Sequence, residues 1–234
     1  MPEMFDPGTL EMSTSPIVRA ASGLLWGEVV VNRIAVIVAL VLLVVELSDI
    51  ILLMPSLLRC LPFWKGNMEL EHSVSLSRTR NTVALVCAVL FCIVADRYAL
   101  FYPSWRSYAG SGYQLAITAA FVFGFALLRR IFYLVSPLRS RTSEFACAVR
   151  HTFFNYFILY TVLVLVGAVF LEAFRAPAAV GRGVLLVSGA LVYLLDISRT
   201  AQILSSRYGL LRTILYLCAL ELLPAGILIL TCTQ

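Results

Sequence analysis

Apolar residues in this chain do not alternate with polar ones but gather into long runs separated by short basic segments. The last run, Ile214 to Leu230, holds one carboxylate, Glu221, and has Pro224 three residues later. Lipid has no water to satisfy backbone groups, so a run of this length predicts a membrane-crossing helix. The first run extends from Ile34 to about Met54, with Pro55 as its expected stop. The second begins near Thr82 and reaches Asp96 and Arg97. Val83 to Ala95 alone is short for a span. That helix must start before Thr82 or carry Asp96 and Arg97 into the outer leaflet. The third run covers about Tyr113 to Val135, the fourth Phe153 to Leu171, and the fifth Val184 to about Ile197. The expected fold is an all-α, polytopic membrane bundle of about six transmembrane helices, occupying residues 32–234.

The flanking segments read differently. Residues 1–15 hold three acids, two prolines and no basic residue, which is not the pattern of a secretory signal. Thr14-Ser15-Pro16 is a helix start. Ile17, Ala21, Leu24 and Leu25 then share a face, and Trp26 follows as an interface anchor. Residues 1–31 are thus expected to form a mobile tail plus an amphipathic helix over 16–31 lying on the membrane. Leu138, Phe145, Val149 and Thr152 hint at a second surface helix. Along the third run, Gly112, Ala116, Ala120 and Gly124 recur every four residues. Such a stripe lets another helix approach closely, which would make this helix the most central of the six.

Composition agrees with the membrane reading. Of 234 residues, 61% are hydrophobic and 13% charged, against about 45–50% and about 25% in soluble domains. The mean hydropathy is +0.92. The net charge is +5, and Lys65 is the only lysine among 18 basic residues. Because the basic residues sit between apolar runs, they report topology rather than nucleic-acid binding. The segments after the first, third and fifth runs hold 12 of them and the remaining segments hold 6. Basic segments stay in the cytoplasm, so both termini are expected on the periplasmic side. The six cysteines form no CxxC pair and there are two histidines, so neither a structural metal nor a cofactor is expected.

The chemistry that remains is a set of polar groups at membrane depth. Glu46 and Asp49 lie three apart on the first run, and Arg129 and Arg130 near the end of the third. Asn155 lies in the fourth, Asp196 and Arg199 end the fifth, and Arg212, Tyr216 and Glu221 belong to the sixth. Low dielectric favours a neutral cluster of such groups, because an unpaired buried charge costs far more than a paired one. Arginines near helix ends also reach headgroups by stretching, and Arg129, Arg130 and Arg212 could do so. Glu221 is too deep for that, so it should point into the bundle toward a polar partner. That partner could be an arginine, Tyr216 or Asn155.

The motif Leu215-Tyr216-Leu217-Cys218-Ala219-Leu220-Glu221-Leu222-Leu223-Pro224 resembles the C-terminal signature of an uncharacterised family of polytopic inner-membrane proteins of Bacteroidetes, domain of unknown function forty-two seventy-one. The likeness extends over roughly residues 34–232 in the order of its parts, with residues 1–31 outside it. It implies a bacterial inner membrane and supplies no catalytic residue.

No GxSxG, HExxH or Walker motif is present, and no nucleophile stands beside a base. The sequence therefore favours a non-enzyme. Two classes of function remain. One is a scaffold or accessory subunit of an envelope-assembly or secretion system, touching membrane lipids and other membrane or envelope proteins, with no nucleic acid and an open oligomeric state. The other is a small secondary transporter or proton-coupled carrier using Glu221. Internal repeats, common in carriers, are not visible.

Overall fold

The computed structural model describes residues 26–62, 66–67, 70, 73–101, 103, 108, 110–135, 144–206 and 208–233. The tail and most of the expected interfacial helix over 16–31 lie outside the described residues. What is described begins with a 3-10 turn, Trp26–Glu28. Then come α1 (Val30–Cys60), α2 (Val74–Arg97), α3 (Gln114–Val135), α4 (Glu144–Ala173) and α5 (Ala178–Ser205). The last span is composite: α6 (Leu210–Leu217), a π-helical turn (Cys218–Leu222) and α7 (Leu223–Thr233). Among the described residues six stretches are long and apolar enough to cross a membrane, so the all-α membrane bundle stands.

Helix ends depart from the sequence expectation where packing overrides local signals. Pro55 lies inside α1 and does not stop it. Leu53, Leu57 and Cys60 on either side of it are fully buried against Val83, Cys87 and Ile158. That packing carries the helix through the missing backbone donor. The second helix starts early, before Thr82, and also runs through Asp96 and Arg97. Its N-cap is Ser73, whose hydroxyl accepts from the Leu76 amide at 3.5 Å. The hinted second surface helix is instead the first turns of α4, where Val149 and Thr152 are buried. Leu138 lies outside the described residues. The fifth helix extends well past both ends of the apolar run, because its last turns bury Thr200, Ile203 and Leu204.

α2 is the central helix: 67% of its most apolar stretch is buried, against 11% for that of α3. It packs on α1, α3 and α4, and α4 packs in turn on α5. The stripe of small residues on α3 was expected to mark the centre and does not. Ala116, Ala120 and Gly124 are exposed, and nothing lies within 4 Å of a side chain built at Gly112 or Gly124. Small residues permit close approach but do not attract a neighbour. The opposite face of α3, carrying Thr118, Arg129 and Tyr133, is the one turned inward.

Two helices close with the same device. Ala99 and Arg175 adopt left-handed backbone conformations with φ of 48° and 51°. The following amides bond back at 2.9 Å, Leu100 to the Ala95 carbonyl and Ala176 to that of Leu171. The Tyr98 ring, beside the first closure, lies close against Gly181 of α5, where a Cβ would overlap it. Gly183, two residues on, has open space. Gly181→Leu should therefore lower stability by about 1–3 kcal/mol in detergent unfolding, while Gly183→Leu should be neutral or slightly stabilising.

Candidate functional site

Arg129 is the charged side chain on which the polar interior converges. It sits near the end of α3 and is 5% exposed, with Asp196 of α5 and Glu221 of the π-helical turn each at 1%. One terminal nitrogen, Nη2, donates to Glu221 Oε1. The other, Nη1, lies 3.7 Å from Asp196 Oδ2, within ion-pair range but too long for a hydrogen bond. The flat guanidinium lies 4.2 Å from the ring centre of Phe153 on α4, and 5.5 Å from that of Tyr133. Arginine suits this slot because it can bond at its edge while its face rests on an aromatic ring.

Local structure aims each group. Tyr133 is one turn beyond Arg129 on the same face of α3, and its hydroxyl donates to Glu221 Oε1 at 2.9 Å. Tyr193 precedes Asp196 by three residues on α5 and donates to the Glu221 backbone carbonyl at 2.8 Å. The π-helical turn holds one residue more than an α turn and pairs the Leu223 amide with the Cys218 carbonyl. Two consecutive residues, Leu220 and Glu221, are buried there. Pro224 follows and has no amide of its own to donate. Four helical spans thus meet at one guanidinium.

The two carboxylates are held unequally. Glu221 Oε1 receives two donors, while neither oxygen of Asp196 has a hydrogen-bond partner among the described residues. Glu221 Oε2, Arg129 Nη1 and the Thr200 hydroxyl, one turn after Asp196, are likewise buried without one. Counted with all three groups ionised, the site carries two negative charges and one positive.

Of the ten polar residues singled out from the sequence, three form this site. Arg130 points outward and is exposed, as is Arg212. Tyr216 packs against Tyr208 with ring centres 5.6 Å apart, so it does not partner Glu221. Asn155 is also elsewhere and donates to Asn67 Oδ1 at 2.8 Å. Arg199 donates to the Leu61 carbonyl and to Gln202 Oε1, both at 2.7 Å. Glu46 and Asp49 are half-buried on α1, away from the site. Tyr133 and Tyr193 were not singled out, although their spacing from Arg129 and Asp196 puts them on the same helix faces.

A second polar knot joins the opposite ends of the spans. Asp96 Oδ1 accepts from the Thr118 hydroxyl at 2.8 Å, and Oδ2 from the Trp26 indole at 2.7 Å. Its neighbour Arg97 pairs with Glu172 at 3.0 Å at an exposed position. At the other end of α2, away from this knot, Arg80 is fully buried and donates to the Ser77 hydroxyl at 3.1 Å and to Asn81 Oδ1 at 3.2 Å. Among the described residues no three His, Cys, Asp or Glu side chains are grouped to hold a metal ion.

Beside the Arg129 site runs an open, largely apolar groove of about 460 Å³ between α3 and α6, lined by Phe132, Val135, Arg212, Leu215 and Tyr216 among others. Leu220, buried beside Glu221 in the chain, forms part of its wall.

No family model, no curated protein and no solved structure matches the chain.

Arg129 and Arg130 are adjacent and differ only in environment, which makes them a matched pair. Arg129→Met leaves two buried carboxylates facing each other and should cost about 3–5 kcal/mol. Arg130→Met, at an exposed position, should stay within about 0.5 kcal/mol. Chemical unfolding of the two variants in the same detergent measures the contrast.

Proposed function

We propose that the chain is a non-enzymatic subunit of a multi-component assembly in a bacterial inner membrane, of the envelope-assembly or secretion kind. The observation that carries this reading is the outward face of α3. Ala116, Ala120 and Gly124 line it in register, and open space lies over Gly124. Lipid chains gain little from such a face, whereas a second helix gains close van der Waals contact along its whole length. The apolar groove next to α3 extends the same uncovered side. The likeness of Leu215–Pro224 to the Bacteroidetes family supports the inner-membrane placement. The excess of basic residues in alternate segments supports periplasmic termini.

Ala120→Leu and Gly124→Leu test the reading. Both residues are exposed, so the bundle should unfold as the parent does. In mild detergent or native nanodiscs, the variants should lose proteins that co-purify with the parent and run as smaller particles. Partners and particle size unchanged in both variants would overturn it.

A second reading is a small proton-coupled carrier, and the Arg129 site favours it. Two carboxylates face one guanidinium at membrane depth, and the helix carrying one of them is locally unwound into a π-helical turn before a proline. Ionisable groups inside the membrane commonly mark ion or proton paths, and π-helical turns occur often at functional sites.

A further inference from the structure

We propose that Asp196 is a proton-binding site, taking up and releasing one proton while Glu221 remains the fixed counter-ion of Arg129. The use of that proton rests on the carrier reading above, but the site itself does not. The argument begins with charge. Arg129, Asp196 and Glu221 are each at least nine-tenths buried, and one positive charge cannot balance two negative ones at such a buried site. With one proton bound, the site is neutral.

Hydrogen bonding says which acid carries it. Glu221 Oε1 accepts from Arg129 Nη2 and from the Tyr133 hydroxyl, and two donors hold negative charge on that carboxylate. Among the described residues Asp196 has no donor on either oxygen, and its ion-pair partner Arg129 is 3.7 Å away. A protonated Asp196 would be a donor itself, with Glu221 Oε2, buried and unpartnered, as an acceptor of the right kind in the same cluster. Other groups on the surrounding elements are engaged elsewhere. On α5, the Tyr193 hydroxyl donates to the Glu221 carbonyl, and the two terminal nitrogens of Arg199 donate to Gln202 and Leu61, leaving its Nε buried without a partner and no ion pair to Asp196 among the described residues. On α4, Tyr156 donates to the Cys60 carbonyl at 2.9 Å, and Phe153 offers only its ring. Thr200, one turn along α5, is uncharged and buried without a partner. The step balances simply. A proton carried by water bonds to an Asp196 carboxylate oxygen, giving a neutral acid, and the reverse returns it.

Infrared difference spectra of the full chain in lipid, recorded between acidic and alkaline buffer, read the site directly. The expected result is a protonated-carboxyl C=O band that moves in D2O and shifts when aspartate side-chain carbons are 13C-labelled. Glutamate labelling should leave it in place. Asp196→Asn should abolish the band. So should Glu221→Gln, because Asp196 then becomes the only counter-ion of Arg129. Should Asp196→Asn not fold, loss of the aspartate-labelled band in Glu221→Gln still decides, because Asp49 and Asp96 lie away from Glu221. A band that follows the glutamate label, or no exchangeable band, would overturn the assignment. Proton flux measured in the same vesicles separates site from use: the aspartate band without flux keeps the proton site and removes the carrier reading.

Discussion

A guanidinium can be kept in a membrane-embedded interior only where its charge and its donors are met nearby, and Arg129 depends on that constraint. It lies between Glu221 and Asp196 and over the Phe153 ring, so α3, α4, α5 and the last span must all be in place for it to be accommodated. Apolar surface provides little drive for helices to associate in lipid, since lipid tails are as apolar as leucine. Polar contacts that hydrocarbon cannot offer then count for more. The opposite side of the bundle uses the same logic around Asp96, where Thr118 and Trp26 bring α3 and the segment before α1 onto α2.

Between these two knots, tyrosines fasten helix to helix through backbone carbonyls. Tyr156 donates to Cys60, Tyr160 to Leu185 and Tyr193 to Glu221, each between different spans. These acceptors lie where the backbone or packing is unusual: the end of α1 beyond Pro55, the close α4–α5 contact beside Gly189, and the π-helical turn. A phenol brings a hydroxyl to such a carbonyl while burying its ring, which suits a low-dielectric interior. The interior of the bundle is thus specific, and its outer faces are largely generic apolar surface. The uncovered small-residue face of α3 is the exception, and it is the face on which the proposed association rests.

The six spans and their order were legible in the sequence because hydropathy alone decides which segments enter lipid. Their ends were not, because Pro55 and Asp196 look like stops until the burial of the turns beyond them carries each helix on. Of the site, Arg129, Asp196 and Glu221 were visible as membrane-depth charges, but so were Arg130 and Arg212. What separates these groups is the direction each side chain faces, and that follows from how α3 is rotated in the bundle. The stripe from Gly112 to Gly124 misled about that rotation, since it was taken for the inner face. Tyr133 lies four residues after Arg129 and Tyr193 three before Asp196, so both could have been found by extending each charged face by one turn.

A double-mutant cycle tests the central claim, that Arg129 and Glu221 hold α3 to the last span. Arg129→Met, Glu221→Leu and the double variant would be unfolded chemically in one detergent, and their free energies compared. The account predicts that the double variant is more stable than the sum of the single losses implies, by more than about 1 kcal/mol, because losing Glu221 leaves Arg129 only the longer contact to Asp196, and losing Arg129 leaves Glu221 a buried charge with Tyr133 as its one donor. Losses that add to within about 0.5 kcal/mol would contradict it, since groups that do not interact behave that way.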